Sequence, residues 1–434
     1  MLHKKKRLVV IGGGAAGFFC AINAARLDPA LEVIILEKSN KILSKVKVSG
    51  GGRCNVTHAC FSIAEMVCKY PRGANFLKKT FHHFFTTDTI AWFKERGIAL
   101  KTEADGRMFP VTDSSQTIID CLMREVNRYG IEVRMKSEVR SLKYEAGSQV
   151  SESGVGSQEL ATGRFIIELS DLRPLTSDFV CIACGGYPKA AMFDWLKQLG
   201  HSIEVPVPSL FTFNMPGNPI TRLMGVSVPD AQVRITGSKL SSSGPLLITH
   251  WGMSGPAILR LSAWGARELA AGNYQFTIQV NWLAAYNENS LREYLQELRF
   301  ELATQKISNR NPFGLPQRLW DYLLEQSGIN GDIRWADLPA AAQNKLIKNC
   351  CVQEFAVRGK TTFKEEFVTA GGIRLTEIDA NTMQSKLLPR LFFAGEILDV
   401  DGITGGFNFQ HAWTSGFIAA TAIVKCQTEP AEAS

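Results

Sequence analysis

The run Leu8-Val9-Val10-Ile11 is apolar at every position. Central strands of parallel sheets, covered on both faces, have this pattern. Three glycines and two alanines follow, and the small and apolar residues after them predict a helix over 15–26. A turn at Asp28-Pro29 leads to a second apolar strand over 33–36, which ends at Glu37. Near the far end of the chain the order recurs: a strand over 391–394, a Gly-rich loop, and a helix over 409–423.

The middle is more varied. Residues 86–127 have helical periodicity, broken by Gly97 and by a strand-like stretch at 108–111. Short strands are predicted over 131–133, 138–144, 165–169 and 178–183, and the polar, Gly/Ser-rich stretch 148–163 reads as a hairpin loop. Within 193–365, Pro and alternating patterns at 205–209 and 226–235 predict short barrel strands. Pro256 is placed to start a helix over 257–270, and further helices are predicted over 290–304, 315–326 and 336–347.

The first turn carries chemistry. Gly12, Gly14 and Gly17 form G-x-G-x-x-G between a strand and a helix. Gly12 makes the tight turn, Gly14 lets backbone approach a pyrophosphate, and Gly17 lets helix pack on strand. Ala15 and Ala16 open the helix, whose N–H groups and dipole face an anion there. Glu37 ends the second strand where an acid accepts from ribose hydroxyls and repels a 2′-phosphate, with Lys38 beside it. This unit alone fits FAD and NAD equally. Ser49-Gly50-Gly51-Gly52-Arg53-Cys54-Asn55 then supplies a loop whose backbone can lie against a large flat ligand, with Arg53 as a cationic fork. The late loop holds Gly395-Glu396, Asp401 and Gly405-Gly406-Phe407-Asn408 before its helix. The expected fold class is therefore α/β, with a Rossmann-type FAD domain of the two-dinucleotide-binding flavoprotein kind. Its expected extent is 1–192 with 366–434.

These motifs resemble the BaiN-like family of bacterial FAD-dependent oxidoreductases. The resemblance also rests on Gly106-Arg107-Met108-Phe109-Pro110, on Thr249-His250-Trp251-Gly252-Met253-Ser254-Gly255-Pro256 and on Thr369-Ala370-Gly371-Gly372-Ile373. It implies bound FAD, with Val139 near adenine and Cys184-Gly185-Gly186 returning to the nucleotide, and a Rossmann domain interrupted by a β-barrel insert over 193–255 with 346–365 and a helical insert over 256–345. Members of that family are linked to reduction of C=C bonds in steroid-like substrates, to amine oxidation and to dihydrouridine formation in ribosomal RNA. His411 departs from the family pattern, which has a small residue there, and puts a titratable ring by the late loop.

Charge and cysteine usage narrow the setting. The net charge of +7 is a mild basic excess, compatible with an anionic cofactor or with RNA. The clusters at Lys4–Arg7 and at Lys41, Lys45 and Lys47 fit either RNA contact or solvated surface. Ten scattered cysteines suit a reducing cytoplasm. No stretch reaches the ~18 apolar residues of a membrane span. The apolar run after the basic start is too short for a signal core. No His, Cys or carboxylate spacing suggests a metal. Cys181 and Cys184 fall an odd number of positions apart in a strand, so they face opposite sides of the sheet.

Three residues are candidate acids in catalysis: Cys54, His250 and His411. Cys54 fits a proton donor or a packed loop residue. His250 fits a proton donor or a ring that fixes its turn. Arg107 fits a substrate anion or an ion pair. The leading expectation is hydride transfer from reduced FAD to an activated C=C bond, in uracil of ribosomal RNA or in a small enone. Alternatives are an amine oxidase using O2 and a flavin-containing binding protein without turnover. NAD(P)H is the expected electron donor, although a second G-x-G-x-x-G is missing.

Overall fold

The computed structural model describes residues 5–146, 163–170, 174–361 and 368–428. Lys4 and the predicted hairpin loop, up to residue 162, lie outside the described residues. Two compact units are present, Met1–Val207 with Lys364–Ser434, and Pro208–Phe363.

The first unit is built on β1 (Arg7–Ile11), α1 (Ala15–Leu27), β2 (Glu32–Leu36), β3 (Glu132–Arg134), β4 (Phe179–Ile182), β5 (Leu391–Phe393) and α2 (Phe407–Thr428). The strands form a parallel sheet in the order β5-β4-β1-β2-β3. Leu8, Val9 and Val10 in β1 and all four residues of β4 are fully buried, which explains why neither strand alternates. Ile11 lies opposite Leu36 on one side and Ile182 on the other, and Ile182 lies opposite Phe393. Four strands thus end level, and the loops beginning at Gly12, Glu37, Ala183 and Ala394 leave the sheet along one edge. Helix α2 crosses α1 closely: a Cβ on Gly416 would lie 2.7 Å from the Ala16 carbonyl oxygen.

The strand expected at 205–209 corrects the barrel reading. It belongs to Ile203–Ser209, which pairs with Val368–Ile373 in a separate two-stranded sheet. Pro206 and Pro208 cannot donate to a ladder, so the segment suits a sheet edge. Its partner lies about 160 residues on, beyond the reach of local pattern. Cys181 packs beside Cys20 of α1, and Cys184, beyond the end of the strand, neighbours Tyr187.

The second unit holds a seven-stranded antiparallel sheet. Its two ends are Gln353–Arg358, paired with Gln275–Asn281, and Lys360–Thr361, paired with Thr212–Asn214. Gly359 joins them: its N–H donates to the Tyr274 carbonyl (2.8 Å) and its carbonyl accepts from Asn214 N–H (3.2 Å). One strand therefore bonds to both edges and the sheet closes into a barrel, which removes its open edges. The helices Glu288–Glu301, Gln317–Gln326 and Ala340–Cys351 bury Leu291, Leu295, Trp320, Leu323 and Leu346 in a core continuous with that of the barrel. The last helix begins later than the pattern predicts because Pro339 sets its start.

Gly359 has φ +95°, in the left-handed region. Gly359→Ala is expected to cost about 1–3 kcal/mol in urea unfolding. An unchanged midpoint would contradict closure at this residue.

Candidate functional site

The edge where four strands end is lined by glycines of two kinds. At Gly12 (φ +120°) a Cβ would sit 2.3 Å from the Ala183 carbonyl oxygen, and at Gly17 it would sit 2.0 Å from that of Gly12. These two are required by backbone packing. Gly14, the N-cap of α1, has no atom within 4 Å of a would-be Cβ and no side-chain cap. It fronts open space at the uncapped helix N-terminus that Ala15 and Ala16 begin, where an anion is favoured. Gly185 (φ +75°) is equally open.

Glu37 accepts from the N–H of Gly13 (2.9 Å) and of Ser39 (2.8 Å). Each carboxylate oxygen keeps further acceptor capacity for a ligand hydroxyl. Lys38 is exposed, 5.5 Å from the Tyr187 ring centroid. Burial raises the Cys184 thiol to about 11, so it is protonated at neutral pH. Gly186 packs against Thr369 and Glu396. Val139 is half-buried and pairs with Leu169 at the start of a small antiparallel sheet.

The second glycine loop ends a kinked helix, Ser44–Gly52. Ser49 leaves helical geometry (ψ 147°), and Gly50 and Gly51 turn left-handed. A Cβ on Gly50 would meet the Phe109 ring at 2.7 Å, while Gly51 and Gly52 face open space. Arg53 does not present a free fork: its guanidinium bonds to Glu103 (2.5 Å) and stacks 4.0 Å over the Phe109 ring. Arg107 likewise pairs with Glu103 and Asp105. Cys54 is wholly buried with φ +61°, and burial pushes its thiol up to about 12.

The late loop docks on the second one through paired side chains. The Asn55 carboxamide accepts from Gly406 N–H (2.9 Å) and donates to the Thr57 carbonyl (3.0 Å). His58 donates through Nδ1 to the Gly405 carbonyl (3.0 Å) and stacks on Phe407. The Tyr70 hydroxyl donates to the Phe407 carbonyl (2.7 Å), and Trp413 Nε1 donates to that of Val56 (2.9 Å). Asp401 and Asn408 act within the loop: Asp401, fully buried, takes a bidentate ion pair from Arg72, and Asn408 bonds both the N–H (2.8 Å) and the carbonyl (2.9 Å) of Gly402. Sequence reading did not single out His58, Tyr70 or Arg72. A buried acid does demand a cation, but Arg72 lies 329 residues from Asp401, so no spacing marks it.

The three candidate acids sit in different surroundings. His411 is buried, and its Nε2 donates to the Gly395 carbonyl (3.2 Å). Its Nδ1 is without a partner among the described residues, and burial lowers the ring to about 4. His250 belongs to the second unit, on an exposed turn with its ring 3.9 Å from that of Trp251. Of the three, His250 alone is exposed.

A further chain of Ser385, His201 and Glu377 resembles a hydrolytic triad. Ser385 Oγ lies 3.0 Å from His201 Nε2, and His201 Nδ1 lies 3.0 Å from Glu377. However, Ser385 Oγ also accepts from the N–H groups of Leu387 (3.1 Å) and Leu388 (3.0 Å). Once it donates to His201, both its lone pairs are taken, so it is a buried staple rather than a nucleophile.

The open edge fits a dinucleotide. Gly14 and Gly185 leave room for backbone contact, Glu37 offers hydroxyl acceptors, and α1 offers free N–H donors. Among the described residues no group of His, Cys, Asp and Glu could hold a metal, and no helix is long and apolar enough to cross a membrane.

Two outcomes are expected. Gly17→Ala should lower thermal stability or prevent folding, whereas Gly14→Ala should leave the melting temperature within a few degrees and weaken dinucleotide binding. Equal melting temperatures for the two would contradict the division. His411 has a folded pKa near 4 against an ordinary 6.5. Its neutral form is favoured in the fold, so stability is full above pH ~6.5 and falls as pH drops toward ~4, by up to about 3 kcal/mol. Urea unfolding of His411→Leu should show a shallower acid loss than the parent. The remaining slope comes partly from His201, which burial also lowers.

Comparison with known proteins places the chain. A 3-dehydro-bile acid delta(4,6)-reductase of Clostridium scindens is 26% identical over 431 residues, covering 96% of this chain and 98% of the relative. A ribosomal RNA dihydrouridine synthase of Escherichia coli is 30% identical over 427 residues, covering 97% and 98%. One of Haemophilus influenzae is 28% identical over 424 residues, covering 96% and 98%. These relatives agree with the BaiN-like resemblance. The profile described as "HI0933-like protein Rossmann domain" matches residues 6–422, and the chain belongs to the HI0933-like family.

Proposed function

We propose that the chain is an FAD-dependent oxidoreductase that adds hydrogen across a C=C bond conjugated to a carbonyl, with uracil in ribosomal RNA as its substrate and NAD(P)H as its electron source. The observation that carries this reading is the level edge at which Gly14 and Gly185 front open space, with Gly51 and Gly52 of the second glycine loop open as well. The relatives' names support the reaction class. Reduction of a 3-dehydro-bile acid and formation of dihydrouridine both saturate a double bond beside a carbonyl system.

Bound at this edge, a flavin supplies a hydride to the carbon β to the carbonyl. The chain's own task is then to bind the anionic cofactor, hold the conjugated system against it and protonate the α-carbon. Cys54 and His411 are buried, so neither is assigned this proton. Gly395 to Phe407 and the N-terminus of α2 would help to hold the flavin, since a helix N-terminus favours negative charge.

Anaerobic stopped-flow absorbance tests this reading. NADH or NADPH should bleach the flavin, and unmodified ribosomal RNA should restore its colour with dihydrouridine formed. A flavin that RNA and enones leave bleached, and that only oxygen restores with peroxide released, would favour the oxidase instead.

A further inference from the structure

Lys45 and Glu396 meet across the first turn of α1. Lys45 lies on the kinked helix that follows Leu43, and Leu43 N–H donates to the Gly13 carbonyl (2.8 Å). Glu396 follows Gly395, whose would-be Cβ lies 2.7 Å from that of Ala16. The two segments therefore flank Gly13 to Ala16, and Lys45 Nζ closes the gap with a 2.5 Å bond to Glu396 Oε2. The lysine side chain is 43% exposed and the glutamate 16%.

The other oxygen of Glu396 accepts from Thr369 N–H (2.9 Å). Thr369 is fully buried, and its hydroxyl has no partner among the described residues. That hydroxyl lies 2.5 Å from a would-be Cβ on Gly186, at the same strand-end edge. An unsatisfied buried hydroxyl calls for a ligand group.

The electrostatics give the pair a purpose. A carboxylate beside the N-terminus of α1 would repel a pyrophosphate bound there. Lys45 cancels that charge, and its ammonium has three donors, of which Glu396 uses one. Glu396, held by Thr369 N–H, fixes where the ammonium sits.

Resting on the flavin reading above, we propose that Lys45 is a cofactor-binding residue that donates to the pyrophosphate of FAD, with Glu396 as its positioning residue. Lys45 belongs to the basic group Lys41, Lys45 and Lys47, and this inference assigns it to the cofactor rather than to RNA.

The test compares ligands with and without phosphates on the deflavinated full-length chain, using FAD and riboflavin. Loss of a charge-assisted bond predicts about ten- to hundred-fold weaker FAD binding by Lys45→Met. Riboflavin binding should be unchanged, and Lys45→Arg should restore most of the FAD affinity. The FAD affinity of the parent should fall with added salt more steeply than that of Lys45→Met. Unchanged FAD affinity in Lys45→Met overturns the inference, as does an equal loss for FAD and riboflavin. A parent chain that binds neither ligand overturns the flavin reading, and this inference with it.

Discussion

Everything at the strand-end edge depends on a contact between backbones. Gly12 approaches the Ala183 carbonyl so closely that no Cβ fits, and Gly17 approaches the Gly12 carbonyl more closely still. These contacts join the ends of β1 and β4 to the start of α1. With the register holding β2 and β5 level beside them, four loops open at the same height. A side chain at either glycine would push α1 away, and the direction of its free N–H donors would be lost.

A second constraint draws the two ends of the chain together. Residues 49–58 and 395–413 are far apart in sequence, yet Asn55, His58 and Val56 bond to Gly406, Gly405 and Trp413. The late loop is stiffened by Asn408 on Gly402 and by Arg72 on the buried Asp401. Removing one charge from a buried ion pair leaves the other uncompensated, so the pair holds the loop in one arrangement. The Gly-rich surfaces are thereby fixed before any ligand arrives, which reduces the ordering cost of binding.

What was legible in the sequence follows from the range of each interaction. The strands β1, β2 and β4 declared themselves because burial on both faces demands unbroken apolar runs. The roles of Gly12 and Gly17 were legible because only glycine survives such approaches. The edge strand at Ile203–Ser209 was mistaken for part of the barrel because its alternation carries no record of its partner. Arg53 looked like a free cation because Glu103 and Phe109, which occupy it, lie fifty or more residues on. His58, Tyr70 and Arg72 carry no local signal, and Lys45 reads only as part of a basic surface cluster, for a related reason: each acts through a distant contact. Local pattern shows which backbone must be close-packed, and long-range pairing decides which polar groups remain free.

The central claim is that this edge holds FAD. The most direct measurement is to denature the purified full-length protein and identify the released nucleotide by mass and absorbance. The account predicts FAD, one molecule per chain. Release of NAD(P) instead, or a colourless chain that takes up no flavin when FAD is supplied, would contradict it.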